Sequence, residues 1–192
     1  MFPKILFYFL LFLSIIKVTA QSYTPKIEPS SLAIESNSFP GFKTFLDFDS
    51  KDVRKGWWKF AKEFGKPVNM RKYYETTLIH EDMANVKLIS KSVKFHDGTM
   101  FYLTLNNQGI PSDLEKKYLG QVRNLLFDFK QEYYRSFLEE ELQSLEKQAI
   151  KVTRQLDKAR GDAFMEDKAF TALEKVNKAM DELKGKITAL SK

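Results

Sequence analysis

Cysteine is absent from the 192 residues, so no disulfide staples a small core and no thiolate serves as nucleophile or metal ligand. Stability must come from burial. Only two histidines are present, which leaves few positions for an imidazole-based metal centre or general base. Eight glycines and six prolines are too few for a collagen-like or low-complexity chain. No G-x-S-x-G, H-E-x-x-H or glycine-rich phosphate loop occurs, so the spacings that mark serine hydrolases, zinc proteases and nucleotide binders are missing. Beyond residue 20 no apolar run approaches the roughly 20 residues of a spanning helix.

What is present starts with one apolar block, Ile5 to Ile16, preceded by Lys4 and followed by Val18-Thr19-Ala20. A positive start, an apolar stretch and small residues at its end are the layout of a secretory signal peptide. Residues 1–20 are therefore expected to be cleaved after Ala20, leaving a secreted or periplasmic chain. An uncleaved membrane anchor is the alternative, and the run is short for it. Cleavage removes Lys4 and Lys17 and no acid, which lowers the net charge from +6 to +4.

Residues 21–41 hold Pro25, Pro29 and Pro40, several serines and single hydrophobes without a period, the composition of a disordered linker. Residues 42–137 carry the patterns of an α+β body. Phe42 to Phe48 reads as a strand. From an N-cap at Asp49 or Ser50, Val53, Trp57, Phe60 and Phe64 recur at helical spacing, and Gly65 before Lys66-Pro67 is a stop signal. Arg71 to Ile79, Val86 to Phe95 and Met100 to Leu105 are strand-like, the last two joined around Asp97-Gly98, a strong hairpin signal. Ser112-x-x-Glu115 has the form of a capping box. The helix it opens places Leu114, Tyr118, Val122, Leu125, Leu126, Phe129 and Tyr133 on a face wide enough to cover a sheet.

Residues 138–192 narrow to two seams, Leu138, Leu142, Leu145, Ala149, Val152, Leu156, Ala159 and then Ala169, Leu173, Val176, Met180, Leu183, Ile187, Leu190, each alternating steps of 4 and 3. Each spans about 33 Å of helix. The phase breaks at Arg160-Gly161-Asp162, where glycine can end a helix, so the spacing predicts a coiled-coil helical hairpin, with one long dimerising helix as the alternative. The expected fold class is α+β: a small antiparallel sheet packed on helices, followed by that arm.

Charge is uneven. Residues 51–72 hold eight basic side chains against Asp52 and Glu63, a local net of +6. Lysines beside Trp57 and Trp58 resemble a basic amphipathic segment that touches an anionic membrane surface or an acidic polymer; the alternative is a core stripe with a solvated face. Arg54, Lys55, Trp58, Lys59 and Lys62 are the candidate interaction residues, with Trp58 discriminating because it lies about 100° off the apolar stripe. Nucleic acid is not an expected partner, since no recognition module is visible.

No cofactor, metal or catalytic residue is expected. His80 in His80-Glu81-Asp82 reads as loop, because three adjacent side chains do not converge on one ion. His96 has Asp97 beside it and no nucleophile to activate, and a carboxylate pair such as Glu75 with Glu81 is open to assembly by folding alone.

The Gly56-Trp57-Trp58-Lys59-Phe60-Ala61-Lys62 helix and the C-terminal seams resemble small secreted proteins of Gram-negative bacteria that combine such a helix with a coiled-coil segment. The likeness spans Lys55 to Lys192 and implies no activity. The expected function is that of an exported, non-catalytic interaction or adaptor protein of the cell envelope, docking through its arm, its basic helix or both. Its partner would be an envelope protein or a second copy through the coiled coil. A periplasmic holdase-type chaperone with helical arms, similar in shape alone, and an enzyme or ligand-binding body with the arm as spacer are the alternatives.

Overall fold

The computed structural model describes residues 25–79 and 83–190; the expected signal peptide and its cleavage point lie outside them, as do Gln21 to Thr24 and His80-Glu81-Asp82. Six strands and three helices follow in the order β1 (Glu28–Ile34), β2 (Asn37–Leu46), α1 (Ser50–Ala61), β3 (Gly65–Asn69), β4 (Tyr74–Leu78), β5 (Lys87–Phe95), β6 (Gly98–Asn106), α2 (Ser112–Lys158) and α3 (Ala163–Leu190). The strands form one sheet in the order β1-β2-β6-β5-β4-β3, antiparallel throughout. The α+β class stands.

The linker expected over 21–41 is corrected: residues 28–34 and 37–41 are strand. Leu32 and Phe39 lie opposite each other in the β1–β2 hairpin and are buried with Ile89, flanked by Ile34, Tyr73 and Tyr102. The prolines that suggested disorder sit where a missing N–H does least harm. Pro29 is on an outermost strand, and β2 pairs with β6 only from Gly41 onward, so Pro40 belongs to an overhang; Pro67, read as part of a helix stop, is likewise on an outermost strand. The two-residue turns of the β1–β2 and β5–β6 hairpins each open on a non-glycine residue at positive φ, Glu35 at 54° and His96 at 52°.

The other face of the sheet, bearing Leu46, Phe101, Leu103, Leu105 and Leu88, is buried. Trp57 of α1 and Phe129 of α2 meet over it with ring centroids 5.1 Å apart, and both touch Phe101 at 5.3 and 5.0 Å. Beyond β2, Phe48 is enclosed by Tyr133, Tyr134 and Phe137 at 4.9 to 5.0 Å. Aromatic edges and faces at these distances add to the burial of large apolar surfaces, and they lock α1 and the first part of α2 onto the sheet.

Helix α2 starts at Ser112, but the capping-box carboxylate does not turn back on it. Glu115 Oε1 accepts from Asn107 Nδ2 at 3.1 Å, tying the helix start to the end of β6. The chain divides into two compact units, one running to Glu140 and resuming at Ala189, the other Glu141–Thr188, so the expected boundaries at 42 and 138 become an earlier start and a slightly later division. In the first unit the Gln131 side-chain amide donates to the Leu190 carbonyl. In the second, every residue of the two seams from Leu142 to Ile187 is buried or half-buried, while Ile150, Phe164 and Phe170 are exposed.

The break between the helices falls where the phase slips. Gly161 takes φ 91°, a left-handed conformation that suits glycine at a helix end. Asp162 Oδ1 accepts from Met165 N at 3.2 Å and Glu166 Oε1 from Gly161 N at 3.1 Å, so both carboxylates satisfy amides at the start of α3. A continuous C-terminal helix is thereby excluded, leaving a long helix pair. No helix among the described residues is long and apolar enough to cross a membrane.

Candidate functional site

Helix α1 begins at Asp49, whose Oδ1 accepts from Lys51 N at 2.8 Å. Its 3.6-residue period then sends neighbouring tryptophans to different surroundings. Val53, Trp57 and Ala61 are fully buried against the sheet, and Trp57 packs on Phe60, Phe64, Phe101 and Phe129 at 5.1 to 6.0 Å. The helix ends at Ala61, four residues before Gly65; Gly65-Lys66-Pro67, expected as a stop, instead opens β3.

The opposite side of α1, together with β3 and the turn that follows, is basic. All eight lysines and arginines of residues 51–72 are exposed. Of these eight, only Lys55 is in an ion pair among the described residues, with Asp52 at 3.2 Å. Trp58 lies among them, half-buried. One neighbour is the ring of Tyr74, 5.2 Å away and tilted by 51°, and Lys62 Nζ stands 5.3 Å from its centroid, a cation–π contact. Lys55, Trp58, Asn69 and Tyr74 line a shallow recess of about 330 Å³.

Of the five candidate residues, the structure thus brings Lys55, Trp58 and Lys62 to one place. Lys59 faces a second depression, and Arg54 is exposed without a described contact. Asn69 and Tyr74 were not foreseen as site residues. They face each other across the β3–β4 pairing, and without β3 the sequence offered no reason to place them beside α1. The turn after Asn69 carries Arg71 and Lys72; Arg71 N donates to Asn69 Oδ1 at 2.8 Å, which leaves the Asn69 amide nitrogen directed elsewhere.

The second depression, about 620 Å³, runs between α1 and α2. Phe48, Phe60, Phe129, Tyr133 and Phe137 form its floor, with Lys55 and Lys59 on one rim and Glu132 and Glu140 on the other. Gly56 permits the close approach of its walls, since a Cβ there would fall 2.2 Å from the Tyr133 ring. The Tyr133 hydroxyl is pushed up to about 12, first by burial and then by the charges of Asp52, Glu140 and Asp49. This side of α1 is mixed in charge, unlike the basic side.

Where α2 meets β2 there is a polar cluster that the helical pattern concealed. Lys130, buried in the middle of the apolar stripe, donates from Nζ to Thr44 Oγ1 at 2.8 Å and the Phe45 carbonyl at 2.9 Å, while Tyr134 donates to Asp47. Burial lowers the Lys130 ammonium to about 8 against the opposing pull of Asp47. Its fixed bonds mark it as a structural clamp between helix and sheet.

Comparison with protein-family models, with curated proteins and with solved structures returns no match. The remaining chemical candidates do not converge either. His96 is exposed at the β5–β6 turn against the ring of Phe95, Glu75 pairs with Lys87 at 2.9 Å, and Glu81, its suggested carboxylate partner, lies outside the described residues. Among the described residues no group of three or more histidine, aspartate or glutamate side chains could hold a metal ion.

Proposed function

We propose that this chain is an exported, non-catalytic docking protein that holds an anionic surface through the exposed side of α1. The observation that carries the reading is the exposure of all eight basic side chains of residues 51–72, seven of them without an ion pair among the described residues. Clustered cations that do not neutralise one another attract polyanions by summed Coulomb forces, and salt screens that attraction.

The structure supports adhesion to a surface over insertion into a bilayer. An interfacial helix binds by burying its apolar face among acyl chains, whereas Val53, Trp57 and Ala61 are fully buried inside this protein. Residues 141–188 add a helix pair able to carry a protein partner or a second copy on its flanks, as coiled-coil arms do.

The test uses the chain without residues 1–20 and poly-L-glutamate as the simplest polyanion, with affinity measured across a salt series. The expected result is binding that weakens as salt rises and is largely lost in the combined variant Lys55→Gln, Lys59→Gln, Lys62→Gln. Undetectable binding at low salt, or full binding by the variant, rejects the proposal.

A further inference from the structure

The charge of α1 explains attraction to any polyanion, but not the aromatic recess set within it. Two half-buried rings, Trp58 and Tyr74, stand at 51° to each other. Asn69 and Lys55 complete the lining of the recess, and Lys62 Nζ stands over the Trp58 ring. The Asn69 carbonyl oxygen accepts from Arg71 N, and its NH₂, with no hydrogen bond among the described residues, is the group left to donate to a ligand.

We propose that this recess seats one ring of an acidic polysaccharide. Three features of such a ligand match three features of the site. A pyranose has faces lined with C–H groups, which carry slight positive charge and pack on the electron-rich faces of aromatic rings. Its hydroxyls accept from an amide NH₂. Its carboxylate meets the ammonium of Lys62, with Lys55 reachable only by exchange from its exposed pair with Asp52, and further sugars along the chain meet Arg71, Lys72 and the other basic residues.

Competing polyanions fit less well. A lipid headgroup uses the cations and has no need of two rings, and α1 has no free apolar face to follow it into a bilayer. A nucleobase is flat and stacks on an open ring face or in a parallel slot, whereas Trp58 and Tyr74 pack on each other at 5.2 Å and 51° and leave no parallel slot. The recess of about 330 Å³ is at the small end of ligand sites, as suits one sugar unit of a longer chain.

This inference rests on the docking reading, and the experiment separates the two. Affinity at one salt concentration is compared for polygalacturonate and poly-L-glutamate of equal charge, for phosphatidylglycerol vesicles and for oligothymidylate. The protein has two tryptophans and Trp57 is fully buried, so emission changes on binding report Trp58. The expected result is a preference for polygalacturonate over polyglutamate of about tenfold, the scale of one aromatic contact plus one hydrogen bond. Trp58→Leu, which keeps an apolar cover on Tyr74, and Asn69→Asp, which keeps an acceptor for Arg71 N, should each cut the preference to about threefold, and the two together should abolish it. Trp58→Leu should leave polyglutamate binding intact.

Equal affinity for the two polymers, or a preference that survives both substitutions, overturns the sugar site and leaves the docking reading standing. Tighter, Trp58-dependent binding to vesicles or to oligothymidylate also overturns it, in favour of a lipid or nucleic-acid surface. Failure to bind any of the four polyanions rejects both readings together.

Discussion

Trp57 and Trp58 are adjacent in the chain and share one helix, yet one is sealed under the sheet among four aromatic rings and the other lies half-open among lysines. The difference comes from 100° of helical rotation and from what each side meets, Phe101 of β6 and Phe129 of α2 at Trp57 and Tyr74 of β4 at Trp58. It teaches that an amphipathic helix with tryptophan next to lysine is not a membrane element by that composition alone. Here the apolar side is used by the fold, and only the polar side remains for recognition.

The sharpest way to break this contrast is to remove each ring in turn. Trp57→Ala should cost about 3–5 kcal/mol, as expected for a large aromatic in a packed core, and denaturant unfolding will show whether the body survives it. The same truncation at Trp58 should cost no more than about 1 kcal/mol, because a half-buried ring loses only part of its packing. Equal losses would mean that Trp58 belongs to the core and that the recess is a packing defect.

A second contrast sets the body against the helix pair. Leu145 and Val176 are buried on α2 and α3, so Leu145→Asp and Val176→Asp should each destabilise residues 141–188 by about 2–3 kcal/mol, limited by relaxation of the carboxylate toward water. Hydrogen exchange resolves where the loss falls. Fast exchange confined to residues 141–188 is expected if the two compact units open separately; equal acceleration around Trp57 would show that they unfold as one.

A smaller effect concerns Lys130. Its ammonium is lowered to about 8 in the folded chain from an ordinary value near 10.4. Between those values the unfolded chain holds a proton that the folded one has released, so stability should rise as pH increases from about 8 to 10. Tyr133 opposes this only at higher pH: its folded value of about 12 exceeds the usual one, so its contribution is lost above about 10. Lys130→Met should flatten the rise measured by denaturant titration at pH 8, 9 and 10. The smallest effect is expected for the combined glutamine variant at Lys55, Lys59 and Lys62, whose stability should shift by no more than about 0.5 kcal/mol, as for exposed residues, while its polyanion binding falls.

The sequence disclosed those parts of the fold that rest on local chemistry. Asp49 caps α1, the β5–β6 hairpin closes at His96-Asp97 and the helix pair breaks at Gly161, each near a residue whose side chain or backbone freedom demands it. Less was visible where distant pairing outweighs local preference. Leu32 and Phe39 give no period on their own and become core only by lying opposite one another. Gly65 with Lys66-Pro67 read as a helix stop, yet these residues open β3, which tolerates Pro67 as an outermost strand. The candidate site was half legible for the same reason. Lys55, Trp58 and Lys62 follow from helical periodicity, while Asn69 and Tyr74 arrive through a strand pairing that no local pattern announced. Lys130 was concealed because a cation inside an apolar stripe is recognisable only when its acceptors, Thr44 Oγ1 and the Phe45 carbonyl, come from the opposite end of the body.

The positions of Pro29, Pro40 and Pro67 restrict how anything can attach to the sheet. An outer strand normally offers a row of amides and carbonyls to which a foreign strand can add, and that mode of capture reads shape with little regard to side chains. Here the two flanking strands and the overhang of β2 each have a gap in that row. Growth by strand addition is discouraged at both rims, whether by a passing peptide or by another copy of the chain. Selectivity is left to the side chains of the helix-bearing surface, where a single substitution can change it.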